Sequence, residues 1–332
     1  MSGLISVIVP LYNKVSEVSR ALDSIFSQTY QNFELIVVDG GSTDGSLEVV
    51  RKYMEDPRFH LVHQISKGLP AGRNEGIAET HGNIVAFLDA DDMWYPTFLE
   101  KIVYLRHKYP DAGLYATAFM TSFGDSLRTP RLVDIPDAPW DGILSSYFRS
   151  SALACIYPFM PCCVAIPKST FAKVGLFNPV LRWGEDAEMW GRIALSCPIA
   201  YTSEIGAVYF AVANNKMTDN PRVVPIHPFM QYLLTLPEYE QQVISLRDDV
   251  QLYLQKESLA VAFNNLQALD KKIARENLRE VQDPIFRMQK IGLLILSYMP
   301  DGVIRWGIPF CSKLEDFRYR VNKRMLWHIR QN

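Results

Sequence analysis

The sequence is poor in cysteine and lacks paired cysteine spacing. Its 332 residues include five cysteines, at positions 155, 162, 163, 197 and 311, and none belongs to a CxxC pair. An odd number without that spacing is typical of a reducing compartment and argues against a structural zinc site. We therefore expect a cytoplasmic protein.

Long hydrophobic runs and a strong charge bias are also missing. The longest apolar stretch, "IGLLILSYM" at 291–299, is about half of the roughly 18 residues that a membrane-spanning helix needs. The opening "MSGLISVIVPLYNK" lacks a basic start and is interrupted by Pro10, so no signal peptide is expected. The formal net charge of −2 gives no global attraction to nucleic acid. These absences predict a non-spanning protein without a nucleic-acid partner.

The first third of the chain alternates strand and helix signals. Short apolar, β-branched runs separated by helical periodicity are typical of a parallel sheet covered by helices. In such a sheet the ligand binds beyond the carboxyl ends of the strands, where Asp39 and Asp89 both stand. No GxGxxG follows the first run, so a dinucleotide-dependent dehydrogenase is poorly supported. The runs are "ISVIVP" (5–10), "FELIVVD" (33–39), "FHLVHQ" (59–64) and "IVAFLDADD" (84–92).

The rest of the chain divides near residue 221. Before that point the strand and helix signals are separated by long, proline-rich loops, whereas beyond it the apolar spacing is helical. We expect a first domain over residues 1–220, with parts 1–112 and 113–220. A helical region over residues 221–332 is expected to follow it.

Three carboxylates, Asp89, Asp91 and Asp92, follow the apolar run "IVAFL". Because alternate residues of an extended segment point to the same side, Asp89 and Asp91 are expected to face one ligand, with Asp92 turned away. Hard carboxylate oxygens suit Mg²⁺ or Mn²⁺, which typically bind through one or two carboxylates plus substrate phosphates. The alternative is that these acids cap a helix beginning near Pro96.

The loop "VVDGGSTDGS" places Asp39 at the end of the second strand. Its carboxylate can accept hydrogen bonds from a ribose or a base. Asp44 and Ser46 in the same loop are typical turn and cap residues. Such residues are common in loops, so this motif is a weak signal when it stands alone.

The loop "KGLPAGRNEGI" combines positive charge with backbone freedom. Lys67 and Arg73 bring the charge, and Gly68 lets the backbone come close to a ligand. This combination favours a diphosphate site. The alternative is a solvated loop followed by a helix that opens at Arg73.

The segment "RWGEDAEMWGRIA" concentrates acids beside aromatic rings. A helix is expected to begin near Glu185, and its dipole favours acids in the first turn without any ligand. Glu188 and Arg192 are expected to form an i, i+4 pair. Trp183 and Trp190 are candidate platforms for a sugar ring, and a carboxylate here can take a proton from an attacking hydroxyl.

Taken in order, these motifs resemble those of the family 2 glycosyltransferases, which have the GT-A fold. The resemblance covers about residues 1–200 and rests on "SVIVPLYNK", "IVVDGGSTDGS", "GRNEGI", "FLDADDMW" and "GLFNPVLRWGEDAEMWGR". It implies an α/β fold with a mostly parallel central sheet covered by helices, here with a C-terminal helical extension. It also implies a nucleoside-diphosphate sugar as donor, UDP-sugars being favoured, and a hexosyl- or N-acetylhexosaminyltransferase (EC 2.4).

The resemblance further implies roles for the residues that match the family's motifs. Asp91 would hold a divalent metal, Mn²⁺ or Mg²⁺, against the diphosphate, and Asp89 would contact the nucleotide. Asp186 would be the general base that deprotonates an acceptor hydroxyl for an inverting displacement. With the loop and helix arguments added, the candidate donor residues are Pro10, Tyr12, Asp39, Lys67, Gly68, Arg73, Asp89 and Asp91, and the candidate acceptor residues are Trp183, Glu185 and Trp190.

The chain departs from the family pattern after the base helix. Many relatives carry a "YRxH"-like segment whose His completes the metal site, whereas "VYFAVANNK" has neither that Arg nor that His at 210 and 212. Asn214 or Asn215 is a candidate third ligand. "DADDMW" also differs from the "ADLQ" of members that act on dolichol-type phosphates, which disfavours a polyprenyl-phosphate acceptor.

The C-terminal segment is basic and partly apolar. From Pro284 onward, nine Lys or Arg stand against three acids. That excess favours an anionic membrane surface, with Leu293, Leu294, Ile295 and Trp306 at the interface. The equal alternative is a helical subdomain packed on the catalytic part or on a second copy in a homo-oligomer.

The predicted acceptor is a hydroxyl of a glycan or lipid-linked glycan, in surface-polysaccharide biosynthesis. A nucleotidyltransferase also sets acids at strand ends, but its glycine-rich, basic signature is replaced by "PLYNKVSE" after the first strand. A catalytically degenerate nucleotide-sugar-binding protein is the other alternative. Release of free nucleoside diphosphate from a donor separates the first hypothesis from both.

Overall fold

The structure, a computed structural model, describes residues 3–212 and 222–305. The chain divides into two compact units, Met1–Met217 and Thr218–Asn332. The described strands all belong to the first unit, and the described secondary structure of the second unit is helical.

Ten strands occur among the described residues and form one sheet. They are β1 Ile5–Leu11, β2 Phe33–Asp39, β3 Phe59–His63, β4 Ile84–Phe87, β5 Met93–Trp94, β6 Leu114–Ser122, β7 Leu127–Arg128, β8 Asp141–Ile143, β9 Val164–Pro167 and β10 Ile199–Phe210. The order is β3-β2-β1-β4-β9-β6-β10-β5, with β7 beside β6 and β8 beside β10. Strands β1 to β4 pair in parallel, as do β6 and β10, while β9 runs antiparallel between β4 and β6. The predicted α/β class with a mostly parallel sheet is confirmed.

The centre of the parallel part is apolar on both faces. Every residue of β2 and β4 is buried, which explains why these strands appear in the sequence as unbroken apolar runs. Leu11 lies beside Asp39, and Ile8 lies beside Phe87. The chain therefore leaves β1, β2 and β4 at the same edge of the sheet.

Seven helices of the first unit lie among its described residues. They are α1 Val18–Phe26, α2 Ser46–Val50, α3 Leu69–Ala78, α4 Phe98–Lys108, α5 Tyr147–Ala154, α6 Lys168–Val174 and α7 Glu185–Ser196. Helix α7 begins at Glu185, as expected from the sequence. Helix α3 begins earlier than the expected start at Arg73, because Pro70 lies in its first turn, where a missing N–H costs no helical hydrogen bond.

The described helices of the second unit are α8 Pro228–Leu233, α9 Glu238–Ser245, α10 Asp248–Gln267, α11 Lys271–Arg279 and α12 Arg287–Ser297. Leu266, Ala274 and Ile304 form a buried cluster against which Leu293 of α12 packs. Leu293 is thus half-buried against this cluster and its expected place at a membrane interface stays a prediction, while Trp306 lies outside the described residues. Among the residues described, no helix combines the length and apolar character needed to cross a membrane.

Candidate active site

Three loops meet where β1, β2 and β4 end. The backbone N–H of Lys14 donates to Ser46 Oγ at 2.8 Å, and the N–H of Thr43 donates to Asn13 Oδ1 at 2.8 Å. The ammonium of Lys14 lies 2.8 Å from Asp91 Oδ2. The loop after β1 is therefore tied both to the loop after β2 and to the acids after β4.

Asp39 organises the loop that follows it. Its carboxylate accepts from the backbone N–H groups of Gly41 at 3.2 Å and Ser42 at 3.1 Å, and the residue is 3% exposed. Asp44 accepts from the backbone N–H of Ser46 at 3.0 Å, which confirms its expected turn role, while the N-cap residue of α2 is Gly45. Asp39 thus stands at the predicted edge with its carboxylate engaged by its own loop.

The acids after β4 lie in a turn, not in an extended segment. The strand ends at Phe87, and the backbone N–H of Asp92 donates to the carbonyl of Asp89 at 3.0 Å. The expectation that Asp89 and Asp91 alternate along an extended segment is therefore wrong. Both carboxylates are nevertheless partly accessible, with side-chain exposures of 26% for Asp89 and 14% for Asp91.

Asp92 is turned away from the other two acids, as expected. It is 1% exposed, and its carboxylate accepts from the backbone N–H of Phe210 at 2.9 Å. Burial, reinforced by the neighbouring Asp91 and Asp89, raises the pKa of this carboxyl well above its usual value. Helix α4 begins at Phe98 without a side-chain cap, so the helix-capping alternative is wrong.

Positive side chains balance the two accessible acids. Besides the Lys14–Asp91 pair, Arg73 Nη2 lies 3.0 Å from Asp89 Oδ1. Arg20 of α1 donates through Nη2 to the backbone carbonyl of Asp91 at 2.6 Å. The turn after β4 is therefore surrounded by cations from three separate elements.

Arg73 connects the turn after β4 to the start of α7. The residue is 1% exposed, and its Nη1 lies 3.3 Å from Glu185 Oε1. Burial, with Asp186 as the next contribution, raises the pKa of Glu185 to about 7. Because α3 already includes Arg73, this guanidinium is packed inside between two carboxylates and does not lie on the exposed diphosphate loop expected from the sequence.

Asp186 and Glu185 differ in their partners. Asp186 is half-buried, and its Oδ1 accepts from the backbone N–H of Ala187 at 2.7 Å. Among the described residues none forms an ion pair with Asp186, whereas Glu185 is bound by Arg73. Burial raises the pKa of Asp186, and Arg73 opposes that shift. A carboxylate with a raised pKa and an accessible side is suited to accept a proton.

The two tryptophans near the start of α7 have different surroundings. Trp183 is half-buried, so its predicted contact with substrate stays a prediction. Trp190 is 1% exposed and packs edge-on against Phe159 and Phe177, with ring centres 5.9 and 6.2 Å away. It lies on the inner face of α7, so the proposal that its ring carries a sugar is wrong.

The expected pair of Glu188 and Arg192 is confirmed. Arg192 Nε donates to Glu188 Oε1 at 2.7 Å, and its Nη2 donates to Oε2 at 2.8 Å. Both side chains are buried, and Arg192 also donates to the carbonyl of Leu176 at 2.8 Å. This pair fixes α7 to the segment that precedes it.

The loop before α3 presents Lys67 to solvent and is held by two side chains. Gly68 has φ +106°, and a Cβ there would collide with the guanidinium of Arg182. Arg182 Nη1 donates to the carbonyl of Lys67 at 3.2 Å, and Gln64 Nε2 donates to the carbonyl of Gly68 at 2.8 Å. The loop therefore needs glycine at this position and is built around Gln64 and Arg182.

Pro10 and Tyr12 flank the end of β1. Pro10 is half-buried beside Val38 of β2, and Tyr12 is 54% exposed. An exposed aromatic ring at this edge is available to a flat ligand group, and the base-pocket assignment of both residues stays a prediction.

The fit of a divalent metal depends on Asp89 and Asp91. Their oxygens are hard donors, and each carboxylate already pairs with a cationic side chain, so both carboxylates attract cations. Within residues 3–212 and 222–305 no group of three His, Cys, Asp or Glu side chains is arranged to hold a metal. By the chemistry of its donors, a pair of carboxylates suits an ion of the Mg²⁺ type, which takes one or two carboxylates and completes its shell with phosphates and water. Asn214 and Asn215 lie outside the described residues.

Sequence reasoning missed four residues of this site: Lys14, Arg20, Gln64 and Arg182. Lys14 had a usable signal, since it follows β1 directly and the ends of neighbouring parallel strands share one edge. Gln64 and Arg182 had no such signal, because they bind backbone carbonyl groups, which every residue has and which the sequence therefore does not distinguish.

The comparisons with known proteins agree on one class. Residues 6–166 match the family model described as "Glycosyl transferase family 2". An uncharacterized glycosyltransferase of Rickettsia felis is 28% identical over 239 residues, covering 70% of this chain and 37% of that protein. The putative glycosyltransferase EpsH of Bacillus subtilis is 34% identical over 126 residues, covering 38% of this chain and 36% of that protein. The matched region thus spans little more than a third of either relative.

Solved structures show the same fold. The structure of TarS residues 1–349 of S. aureus in complex with UDP-GlcNAc has a TM-score of 0.63 at 18% identity, covering 91% of this chain and 92% of that one. The mannosyltransferase PcManGT of Pyrobaculum calidifontis, in complex with GDP-Man and Mn²⁺, has a TM-score of 0.52 at 19% identity, covering 97% and 87%. These likenesses confirm the GT-A fold expected from the sequence.

Proposed function

We propose, on the premise that residues 6–166 match glycosyl transferase family 2, that this chain transfers a sugar from a nucleoside-diphosphate sugar to a hydroxyl of a glycan or lipid-linked glycan. The observation that carries the proposal is the position of Arg73 between Asp89 and Glu185. It brings the acids suited to a metal and diphosphate next to the acids suited to proton transfer. Such an enzyme serves surface-polysaccharide biosynthesis in the cytoplasm.

Asp186 is the base in this proposal. Glu185 is held by Arg73, whereas Asp186 is half-buried, has a raised pKa and forms no ion pair with a described residue. Its carboxylate takes the proton of the acceptor hydroxyl as that oxygen attacks the anomeric carbon opposite the departing diphosphate. The configuration at that carbon inverts. Trp183 and Glu185 line the acceptor side.

The donor side is the edge formed by the ends of β1, β2 and β4. Tyr12 and Pro10 border the base, Asp39 faces the ribose or base, and the exposed Lys67 follows on the phosphate side. Asp91 would hold a Mn²⁺ or Mg²⁺ ion, which supplies positive charge to the departing diphosphate, and Asp89 would contact the nucleotide. A UDP-sugar is the favoured donor, and the two similar structures support a nucleotide sugar, since they are complexes with UDP-GlcNAc and GDP-Man.

The proposal is tested by a screen of nucleotide sugars with and without Mn²⁺. A bound donor raises the melting temperature by mass action, and the donor that does so should release free nucleoside diphosphate when acceptor glycans are added. Release of pyrophosphate from a nucleoside triphosphate would instead identify a nucleotidyltransferase. Donor binding without any release would identify a nucleotide-sugar-binding protein.

The second unit is proposed to contact an anionic membrane surface through α12. The helix exposes Met288, Ile291 and Ile295 at helical spacing, with 75%, 41% and 54% of each residue accessible. Arg287 and Arg305 are exposed on the same segment, and six further Lys or Arg follow in residues 306–332. The apolar stripe and the basic excess together match a surface of anionic lipid.

Sedimentation with anionic vesicles at low salt tests this contact. The paired change Met288→Ser and Ile295→Ser should leave the protein in the supernatant. A matched control, Val243→Ser and Leu246→Ser, removes exposed apolar side chains of the same unit and should not alter sedimentation. If the unchanged chain does not sediment with the vesicles, the membrane proposal is wrong. If α12 instead mediates dimerisation, light scattering should give a larger mass for the unchanged chain than for the Met288→Ser and Ile295→Ser variant.

A further inference from the structure

Lys14 pairs with the carboxylate of Asp91, and the family motifs assign it no role. Its Nζ lies 2.8 Å from Asp91 Oδ2, and only 11% of the Lys14 side chain and 14% of the Asp91 side chain is exposed. The lysine backbone is fixed by the hydrogen bond from its N–H to Ser46 Oγ at 2.8 Å. This ion pair is therefore shielded from solvent and anchored at its base.

The position of Asp91 does not depend on Lys14. Arg20 Nη2 holds the backbone carbonyl of Asp91 at 2.6 Å, and the guanidinium of Arg20 lies 3.6 Å from the ring centre of Phe210. The next residue, Asp92, is buried and fixed to the N–H of Phe210. Removing the lysine should thus leave the turn in place and expose the carboxylate to another cation.

The ammonium and a metal ion compete for the negative charge of one carboxylate. A Mg²⁺-type ion sits about 2.1 Å from a ligating oxygen, and Lys14 Nζ already lies 2.8 Å from Asp91 Oδ2. Two cations so close would also repel each other strongly. A lysine on a flexible four-carbon stem can leave, whereas Arg73, buried between two acids, is held in place.

We propose that Lys14 is an exchangeable counter-ion of Asp91. In the absence of the sugar donor, its ammonium neutralises the carboxylate. When the divalent cation and the diphosphate bind, the cation takes the place of the ammonium at Asp91 and the ammonium contacts the diphosphate. This inference rests on the proposed function, because it takes Asp91 as the metal ligand and a diphosphate as the second anion. It makes metal and nucleotide binding mutually dependent. By thermodynamic linkage, the metal raises the affinity for the nucleotide by the same factor by which the nucleotide raises the affinity for the metal.

The test is the binding of Mn²⁺ alone, followed by electron paramagnetic resonance of the free ion. Lys14→Met keeps the length of the side chain and removes the charge, and should bind Mn²⁺ about tenfold more tightly than the unchanged chain without nucleotide, a difference of about 1.4 kcal/mol. Lys52→Met removes an exposed lysine elsewhere and should match the unchanged chain. Adding UDP should tighten Mn²⁺ binding more in the unchanged chain than in Lys14→Met.

The outcomes separate this inference from the proposed function. If Lys14→Met binds Mn²⁺ no more tightly while Asp91→Asn loses it, the counter-ion role is wrong and the metal site stands. If Asp91→Asn binds Mn²⁺ as well as the unchanged chain, the metal assignment in the proposed function is wrong. Lys14→Arg keeps the charge and should bind Mn²⁺ alone as weakly as the unchanged chain. Lys14→Gln replaces Lys14→Met if the latter does not fold, with the same expected gain.

Discussion

Arg73 Nη1 lies 3.3 Å from Glu185 Oε1, joining two residues that are 112 positions apart in the chain. The same guanidinium holds Asp89 Oδ1 at 3.0 Å through Nη2. One buried cation thus fixes the distance between the turn after β4 and the first turn of α7. A donor held by that turn and a hydroxyl activated by that helix would be positioned through this contact, since catalysis requires both in one geometry.

Replacing Arg73 should damage stability and transfer together. Arg73→Met leaves the carboxylates of Asp89 and Glu185 near each other without their shared cation, and breaking such a buried pair typically costs about 3–5 kcal/mol. Urea denaturation should report that loss, and Arg73→Lys should recover only part of it because an ammonium lacks the planar two-sided geometry.

The double variant Arg73→Met with Glu185→Gln provides the control for this effect. Removing one of the stranded charges should make the double variant more stable than Arg73→Met alone. Equal stability of the two variants would show that Glu185 carries no uncompensated charge once Arg73 is removed.

Asp186→Asn should reduce transfer by about 10² to 10⁴ fold, which is the usual contribution of a general base. Donor binding, measured by the rise in melting temperature, should remain, because Asp186 lies at the start of α7 and not among the residues after β4. Glu185→Gln removes the neighbouring acid and is the matched comparison, with a smaller loss expected. Transfer that survives Asp186→Asn but not Asp91→Ala would reject the base assignment and keep the metal role.

The pH dependence of transfer should show the raised pKa of Asp186. Burial disfavours its charged form, so the carboxylate that accepts the proton is formed only above a pKa that exceeds the usual aspartate value. The rate should therefore fall, as pH is lowered, at a higher pH than an exposed aspartate would give. A rate that is flat down to pH 4 would contradict this, and initial rates at saturating donor are the measurement.

The strands and the candidate edge could be predicted because their signals are local. A run such as "FELIVVD" is apolar on both faces, and the observed β2 has the same limits as the expected strand, Phe33–Asp39. Once parallel strands were expected, the acids at their carboxyl ends had to lie at one edge. Residue types and topology alone therefore located Asp39 and Asp89.

The partners of these acids could not be predicted, because they depend on distant packing. Lys14 and Asp91 are 77 positions apart, and a lysine after a strand carries no sign of its partner. Arg73 is expected from the sequence at the first position of its helix, beside the loop, since the sequence does not show that α3 already begins at Leu69. Trp190 is different: Ala187 and Ile193, three residues to either side, are also apolar, so the helical spacing in the sequence favoured an inward position.

Replacing Asp92 should destabilise the protein only if the replacement removes the hydrogen-bond acceptor, and not if it removes the negative charge alone. Asp92→Asn retains an acceptor for the N–H of Phe210, so the free energy of unfolding should stay close to that of the unchanged chain. Asp92→Ala leaves that buried N–H without its partner, which costs about 1–3 kcal/mol. Urea denaturation of both variants at neutral pH measures the two free energies of unfolding. Equal destabilisation by Asn and Ala would show that the negative charge itself is required.

His227 should make the second unit less stable as the pH falls. It is 1% exposed, its Nδ1 accepts from the N–H of Phe229 at 3.2 Å at the start of α8, and burial lowers its pKa to about 4 from 6.5. The unfolded chain therefore binds a proton at a higher pH than the folded one, so the free energy of unfolding falls between about pH 6.5 and pH 4. The full effect is about 3 kcal/mol, from 1.36 kcal/mol per pKa unit.

The replacement His227→Asn isolates this effect from the other titrating groups. Asparagine can still cap the first turn of α8 but binds no proton, so its loss of melting temperature between pH 7 and pH 4.5 should be smaller than that of the unchanged chain. His107→Asn removes an exposed histidine of the first unit and should keep the original pH dependence. Parallel pH curves for the unchanged chain and His227→Asn would mean that this imidazole is not the proton-binding group, because its loss would then leave proton uptake on unfolding unaltered.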